Sequence, residues 1–165
     1  MSKDIHGVVI TVSDSAARGV RADESGPVAC RLLREAGFVV PDAQVVPDSR
    51  PFIAARIREG AGAGASFVVT TGGTGLGPRD VTPEATRDVI EREVPGIAEM
   101  LRADGRSSTP TACLSRGLAG MLGACLVVNL PGSPAAVREG LASLIPVLRH
   151  AIRIAGGDTE HTPPR

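Results

Sequence analysis

Thr70-Thr71-Gly72-Gly73-Thr74-Gly75-Leu76-Gly77-Pro78-Arg79-Asp80 follows the short apolar run Phe67-Val68-Val69 and leads into Val81-Thr82-Pro83-Glu84. A strand, a glycine-rich turn and a helix start in succession make an α/β unit whose turn suits an anion. The glycines at 72, 73, 75 and 77 open backbone conformations closed to other residues and leave N–H groups uncovered by any Cβ. Arg79 and Asp80 then stand where a phosphate or its cation would lie. The turn lacks the Gly-Lys-Ser or Gly-Lys-Thr ending of a Walker loop, and Pro78 occupies the third glycine position of a dinucleotide fingerprint. The spacing supports an anion site without naming the anion.

Working outward, apolar runs and amphipathic stretches alternate. His6 to Val12 predicts a buried strand running into Ser13-Asp14-Ser15, which reads equally well as a ligand-facing strand end or an ordinary turn. Ser25-Gly26-Pro27 predicts a cap and first helical residue, with Val28, Leu32, Leu33 and Ala36 as the buried stripe. Phe38 to Val46 predicts a second strand, placed at an edge by Pro41, and ends in Pro47-Asp48-Ser49. Pro51 opens a helix with Ile53 and Ile57 on one face, and Thr82-Pro83 predicts a cap and first helical residue after the glycine turn. Leu114, Leu118 and Met121 at helical spacing predict a short helix or turn that presents Ser115 and Arg116. Cys125 to Leu130 predicts the fourth strand. Pro131-Gly132-Ser133-Pro134 then turns into the longest helix, capped by Ser133 and striped by Val137, Leu141, Leu144, Ile145, Leu148 and Ile152.

Strands alternating with helices predict an α/β fold with a largely parallel sheet and helices on both faces. Right-handed crossovers then bring the polar strand ends to one sheet edge. There Ser13-Asp14, Asp48, the glycine turn and Asn129-Pro131-Gly132 would line one crevice. A carboxylate beside a phosphate is repulsive unless a cation intervenes, so Asp48 and Asp80 together point to Mg²⁺. A salt bridge from Asp80 to Arg79 or another arginine is the competing explanation.

The length of 165 residues predicts one domain over 1–157 and a loose polar tail over 158–165. Lys plus Arg and Asp plus Glu are 18 each, and Trp and Tyr are absent, which leaves neither a basic field nor stacking platforms for nucleic acid. No apolar run reaches the ~18 residues of a membrane span and no apolar leader opens the chain, so a soluble, cytoplasmic protein is expected. Cys30, Cys113 and Cys125 match neither a zinc site nor a redox pair and are expected to be small buried hydrophobes. His6, His150 and His161 share no metal-ligand spacing. Ser13, Ser15 and Ser115 lack the elbow of a serine hydrolase.

Taken together, Val8-Val9-Ile10-Thr11-Val12-Ser13-Asp14, Thr71 to Gly75, Arg79 to Thr86, Leu114-Ser115-Arg116 and Asn129 to Pro134 resemble the molybdopterin adenylyltransferase family of molybdenum cofactor biosynthesis. The resemblance covers nearly the whole chain. It implies a three-layer α/β/α domain assembled as a homotrimer, with molybdopterin and ATP as substrates, Mg²⁺ as cofactor, and the molybdenum insertion protein as a further partner. It implies that Gly72, Gly73, Thr74 and Gly75 with Asp48 and Asp80 serve the nucleotide phosphates and metal. Ser115, Arg116, Asn129, Pro131, Gly132 and Ser133 would then face the pterin. A non-catalytic pterin-binding or scaffold trimer of the same fold is the alternative.

Overall fold

The computed structural model describes residues 4–158. Six strands form one sheet: β1 (Gly7–Val12), β2 (Gln44–Val46), β3 (Phe67–Thr71), β4 (Arg92–Glu93), β5 (Ala119–Leu122) and β6 (Cys125–Leu130). Their order is β2-β1-β3-β6-β5-β4. The first four in that order run parallel, and β5 and β4 add on antiparallel at one edge. The helices are α1 (Asp14–Ala17), α2 (Ser25–Glu35), α3 (Arg50–Gly62), α4 (Thr82–Arg87), α5 (Pro95–Gly105) and α6 (Pro134–Ala155).

Because successive side chains of a strand point to opposite faces, one sheet feeds two cores. Val9, Phe67, Val69, Leu126 and Val128 pack with Ala29, Cys30 and Leu33 of α2 and Val137, Leu141, Leu144 and Leu148 of α6. On the other face Ile10, Val68 and Val127 pack with Ile53, Ala54 and Ile57 of α3 and Ala85 of α4. The three-layer α/β/α architecture follows. The expected edge strand is confirmed but shorter: its pairing is confined to Gln44–Val46 plus a bridge from Val39 to His6. On α2 the most deeply buried stripe is Ala29, Cys30 and Leu33, with Val28, Leu32 and Ala36 only partly covered.

The stretch expected to be a helix or turn resolves into a 3-10 turn at Pro110–Leu114 followed by strand β5. Gly123, at φ 56, opens the two-residue connection that folds β5 back onto β6. Gly120 admits β4 alongside, since a Cβ there would lie 2.5 Å from Ile90 Cδ1 and 2.7 Å from the Arg92 carbonyl oxygen. Two expected caps also differ. Ser25 is the first residue of α2 and its hydroxyl meets Thr71 Oγ1 at 2.8 Å, while Asp23 accepts the Gly26 N–H at 3.0 Å. Thr82 opens α4 but donates its hydroxyl to the Gly72 carbonyl at 2.9 Å.

Cys30 and Cys125 are buried as expected, whereas Cys113 is exposed. Burial pushes the Cys125 thiol up to about 11. Among the described residues no helix is long and apolar enough to cross a membrane. Apart from Asp158, the expected tail lies outside the described residues.

Candidate functional site

The carboxyl ends of β2, β1, β3 and β6 lie side by side, which brings Asp48, Ser13-Asp14, the glycine turn and Pro131-Gly132 to one edge. Backbone contact requires the glycines there. A Cβ on Gly72, at φ 92, would lie 2.4 Å from the Val12 carbonyl oxygen, and one on Gly132 would lie 3.1 Å from Gly72 Cα. Gly73, at φ 65, would place a Cβ 2.3 Å from Thr82 Oγ1 and 3.3 Å from Asp48 Oδ1. The turn is therefore threaded between β1, α4 and the loop after β6 with no room for a side chain at Gly72 or Gly73.

A cluster of acidic side chains borders one side of this turn. The Asp14 N–H donates to Asp48 Oδ2 at 2.8 Å, and the Asp48 N–H returns a bond to Asp14 Oδ1 at 3.0 Å. Arg79 donates through Nε at 3.0 Å and Nη2 at 2.6 Å to Asp14 Oδ2. The Arg79 guanidinium holds the Asp14 carboxyl below the usual carboxylate range. Asp48 moves the other way, raised first by partial burial and further by the negative charges of Asp14 and Asp80. Asp80 folds back on the turn, its Oδ2 accepting the Gly77 N–H at 2.9 Å while its own N–H donates to the Gly77 carbonyl at 3.0 Å. The side-chain salt bridge expected as a competing role for Asp80 does not form with Arg79, which is committed to Asp14.

Asp48 and Asp80 offer hard oxygen donors of the kind Mg²⁺ takes. Among the described residues no three His, Cys, Asp or Glu side chains gather as a metal cluster. Two carboxylates suit an ion that keeps several waters and completes its shell with substrate phosphate oxygens.

On the other side of the turn opens a cavity of about 500 Å³. Thr74, Gly75 and Leu76 form one wall, Leu101 and Arg102 of α5 another, and Ser115, Asn129, Leu130, Pro131, Ser133 and Glu139 belong to the rest of the lining. Ser133 caps α6, its Oγ accepting the Ala136 N–H at 3.1 Å, so the helix N-terminus borders the cavity. Ser13 caps α1 in the same way, accepting the Ala16 N–H at 3.2 Å.

Two residues assigned to the pterin side by resemblance are engaged within the protein. Asn129 is 3% exposed; its Nδ2 donates to Thr70 Oγ1 and Thr86 Oγ1, and its Oδ1 accepts the Leu118 N–H. Arg116 donates to the Gly75 carbonyl at 2.8 Å, to the Asp80 carbonyl at 2.6 Å and to the Glu84 carboxylate, while its N–H donates to the Thr74 carbonyl at 2.8 Å. The arginine acts as a clamp across the glycine turn, and its guanidinium holds the Glu84 carboxyl below its usual range. Arg102 and Glu139, charged residues of the cavity wall, carry no signal in the sequence, where both read as polar-face positions of helices.

Residues 8–150 match the domain family described as "Probable molybdopterin binding domain". A molybdenum cofactor biosynthesis bifunctional protein of Synechococcus elongatus is 43% identical over 153 residues, covering 93% of this chain and 48% of that protein. The chain thus spans about half the length of such bifunctional relatives. Molybdopterin adenylyltransferase of Helicobacter pylori strain J99 is 37% identical, with 93% of this chain and 89% of that protein covered. A solved structure from Thermus thermophilus, described as the molybdopterin biosynthesis enzyme MoaB, superposes with a TM-score of 0.87 at 43% identity, covering 98% of this chain and 99% of that one. With matches of this identity running from end to end of the sheet, the chain belongs to the molybdopterin-binding domain family.

Proposed function

We propose that this protein adenylylates molybdopterin: an oxygen of the molybdopterin phosphate attacks the α-phosphorus of ATP, the bond to the β-phosphate oxygen breaks, and pyrophosphate leaves. The observation that carries this function is a shared wall. Gly75 lines the cavity, while its Cα approaches the Asp80 carboxylate so closely that a Cβ would lie 2.9 Å from Oδ2. Two substrates held in the crevice and the cavity would meet across one strip of backbone.

Two anions must approach each other in this reaction, so positioning and charge neutralisation are the main tasks, and no protein nucleophile is needed. The glycine turn offers N–H groups and Arg79 a cation to the triphosphate. Asp48 and Asp80 would hold Mg²⁺, which when bound neutralises phosphate charge and favours departure of pyrophosphate. On the cavity side Ser115, Ser133 and the N-terminus of α6 suit the polar rim and phosphate of the pterin, and Leu101, Leu114 and Leu130 suit its ring faces. A homotrimer that hands its product to the molybdenum insertion protein, working in the cytoplasm, extends the same proposal; the exposed Phe52 of α3 and Val45 of β2 offer apolar surface for such contacts.

Purified protein supplied with molybdopterin and Mg-ATP is expected to release pyrophosphate. No release, where a known adenylyltransferase turns over, overturns the proposal.

The crevice also sets a pH dependence. Asp48 serves a cation only when ionised, so activity is expected to fall as pH drops through its raised pKa. Asp14→Asn removes a charge that raises Asp48 and frees Arg79 to stabilise the Asp48 carboxylate. The acid limb of kcat/KM is therefore expected at lower pH in the variant than in the wild type. A limb that stays in place or moves up contradicts this coupling. For stability the signs oppose: the lowered pKa values of Asp14 and Glu84 stabilise the fold at neutral pH and that contribution fades in acid, while ionising Asp48 costs stability above its raised pKa.

A further inference from the structure

Glu139 reaches the cavity from the second turn of α6. Its backbone position is fixed by close packing, since a Cβ on the neighbouring Gly140 would lie 2.9 Å from Leu130 Cδ2. Glu139 is half-buried, and among the described residues no donor pairs with its carboxylate. Arg102, the cationic residue of the same cavity, is turned to backbone instead, donating to the Gly117 carbonyl at 2.8 Å and the Ser115 carbonyl at 3.4 Å. A carboxylate drawn partly out of water is unfavourable unless donors reach it. The described residues supply none, so a ligand that brings them is the fitting partner.

The chemistry of that partner is set by the carboxylate itself. Its two oxygens are acceptors side by side and match an edge with two adjacent N–H donors. The 2-amino-4-oxopyrimidine ring of a pterin has that edge in its N3–H and 2-amino groups. We propose that Glu139 is a specificity-determining residue that accepts both of these hydrogen bonds and so selects pterins over ring systems that carry oxygen at C2. The proposal rests on the assignment of the cavity to the pterin.

Calorimetric titration of the whole protein with 6-hydroxymethylpterin and with 6-hydroxymethyllumazine tests it. The lumazine carries a C2 carbonyl in place of the amino group, so the same edge offers one donor and one acceptor. Wild-type protein is expected to bind the pterin about tenfold or more tightly than the lumazine. In Glu139→Gln the side-chain amide offers one acceptor and one donor, which mismatches the pterin and matches the lumazine, so the preference is expected to reverse. In Glu139→Ala both ligands should bind weakly and alike. A merely structural role for Glu139 would weaken the two ligands together and leave their ratio unchanged. Retention of the wild-type ratio in both variants overturns the proposal and leaves adenylylation untouched. Wild-type protein that binds neither ring overturns it too, and the adenylylation reading falls with it only if pyrophosphate release is also absent.

Discussion

Asp80→Ala is expected to lower pyrophosphate release about 100-fold or more while the protein remains folded. The carboxylate lies against the shared backbone wall, and its charge is felt at Asp48, so its removal dismantles the pair of hard oxygens proposed for Mg²⁺. What the fold loses is small: one partly exposed hydrogen bond to the Gly77 N–H, about 1 kcal/mol. Asp80→Asn separates the two roles. Its amide oxygen can still accept from Gly77, yet it lacks the charge, and it is expected to be nearly as inactive as the alanine variant. Initial rates at saturating Mg-ATP, with thermal melts alongside, check both. Full activity in Asp80→Ala would remove the residue from the mechanism.

Asn129→Ala should have the largest effect on stability. The side chain ties β6 to Thr70 of β3 at 3.0 Å, to Thr86 of α4 at 2.9 Å and to the Leu118 N–H before β5 at 3.2 Å. Thr70 and Thr86 are fully buried, and among the described residues no buried side-chain nitrogen or oxygen lacks a partner. Alanine would strand three polar groups at once. At about 1–3 kcal/mol for each stranded group, with some relief from rearranged hydroxyls, a loss of about 3–5 kcal/mol is expected in urea denaturation. A loss below about 1 kcal/mol would contradict the role of Asn129 as a buried junction. Because Thr86 lies on the helix that follows the glycine turn, activity is expected to fall with stability even though the amide itself is committed inside the protein.

The parts of this molecule that are legible in its sequence are those governed by local pattern. β-Branched runs followed by Gly, Pro, Asp and Ser mark β1, β2, β3 and β6 and place their polar ends together, which is why Asp48 and the glycine turn can be grouped from the sequence. Strand β5 is hidden because Leu114, Leu118 and Met121 imitate helical spacing, and Gly120 reads as a breaker when its task is to admit Ile90 and the Arg92 backbone of β4. Side-chain pairings between distant segments are equally hidden. Arg79 chooses Asp14 over its neighbour Asp80, and Arg116 reaches back to Glu84 and the glycine-turn carbonyls, choices that depend on how the strand ends converge. Resemblance assigned Arg116 and Asn129 to the pterin side. In the folded chain both hold the turn and α4 in place, Asn129 while also lining the cavity, and Glu139 joins the cavity wall.

The most direct test of the central claim is to follow the α-phosphorus. With ATP labelled at that atom, Mg²⁺ and molybdopterin, the protein is expected to transfer the label to the pterin product in step with release of unlabelled pyrophosphate. Label that remains in ATP, or that appears in free AMP or ADP with none on the pterin, would contradict it.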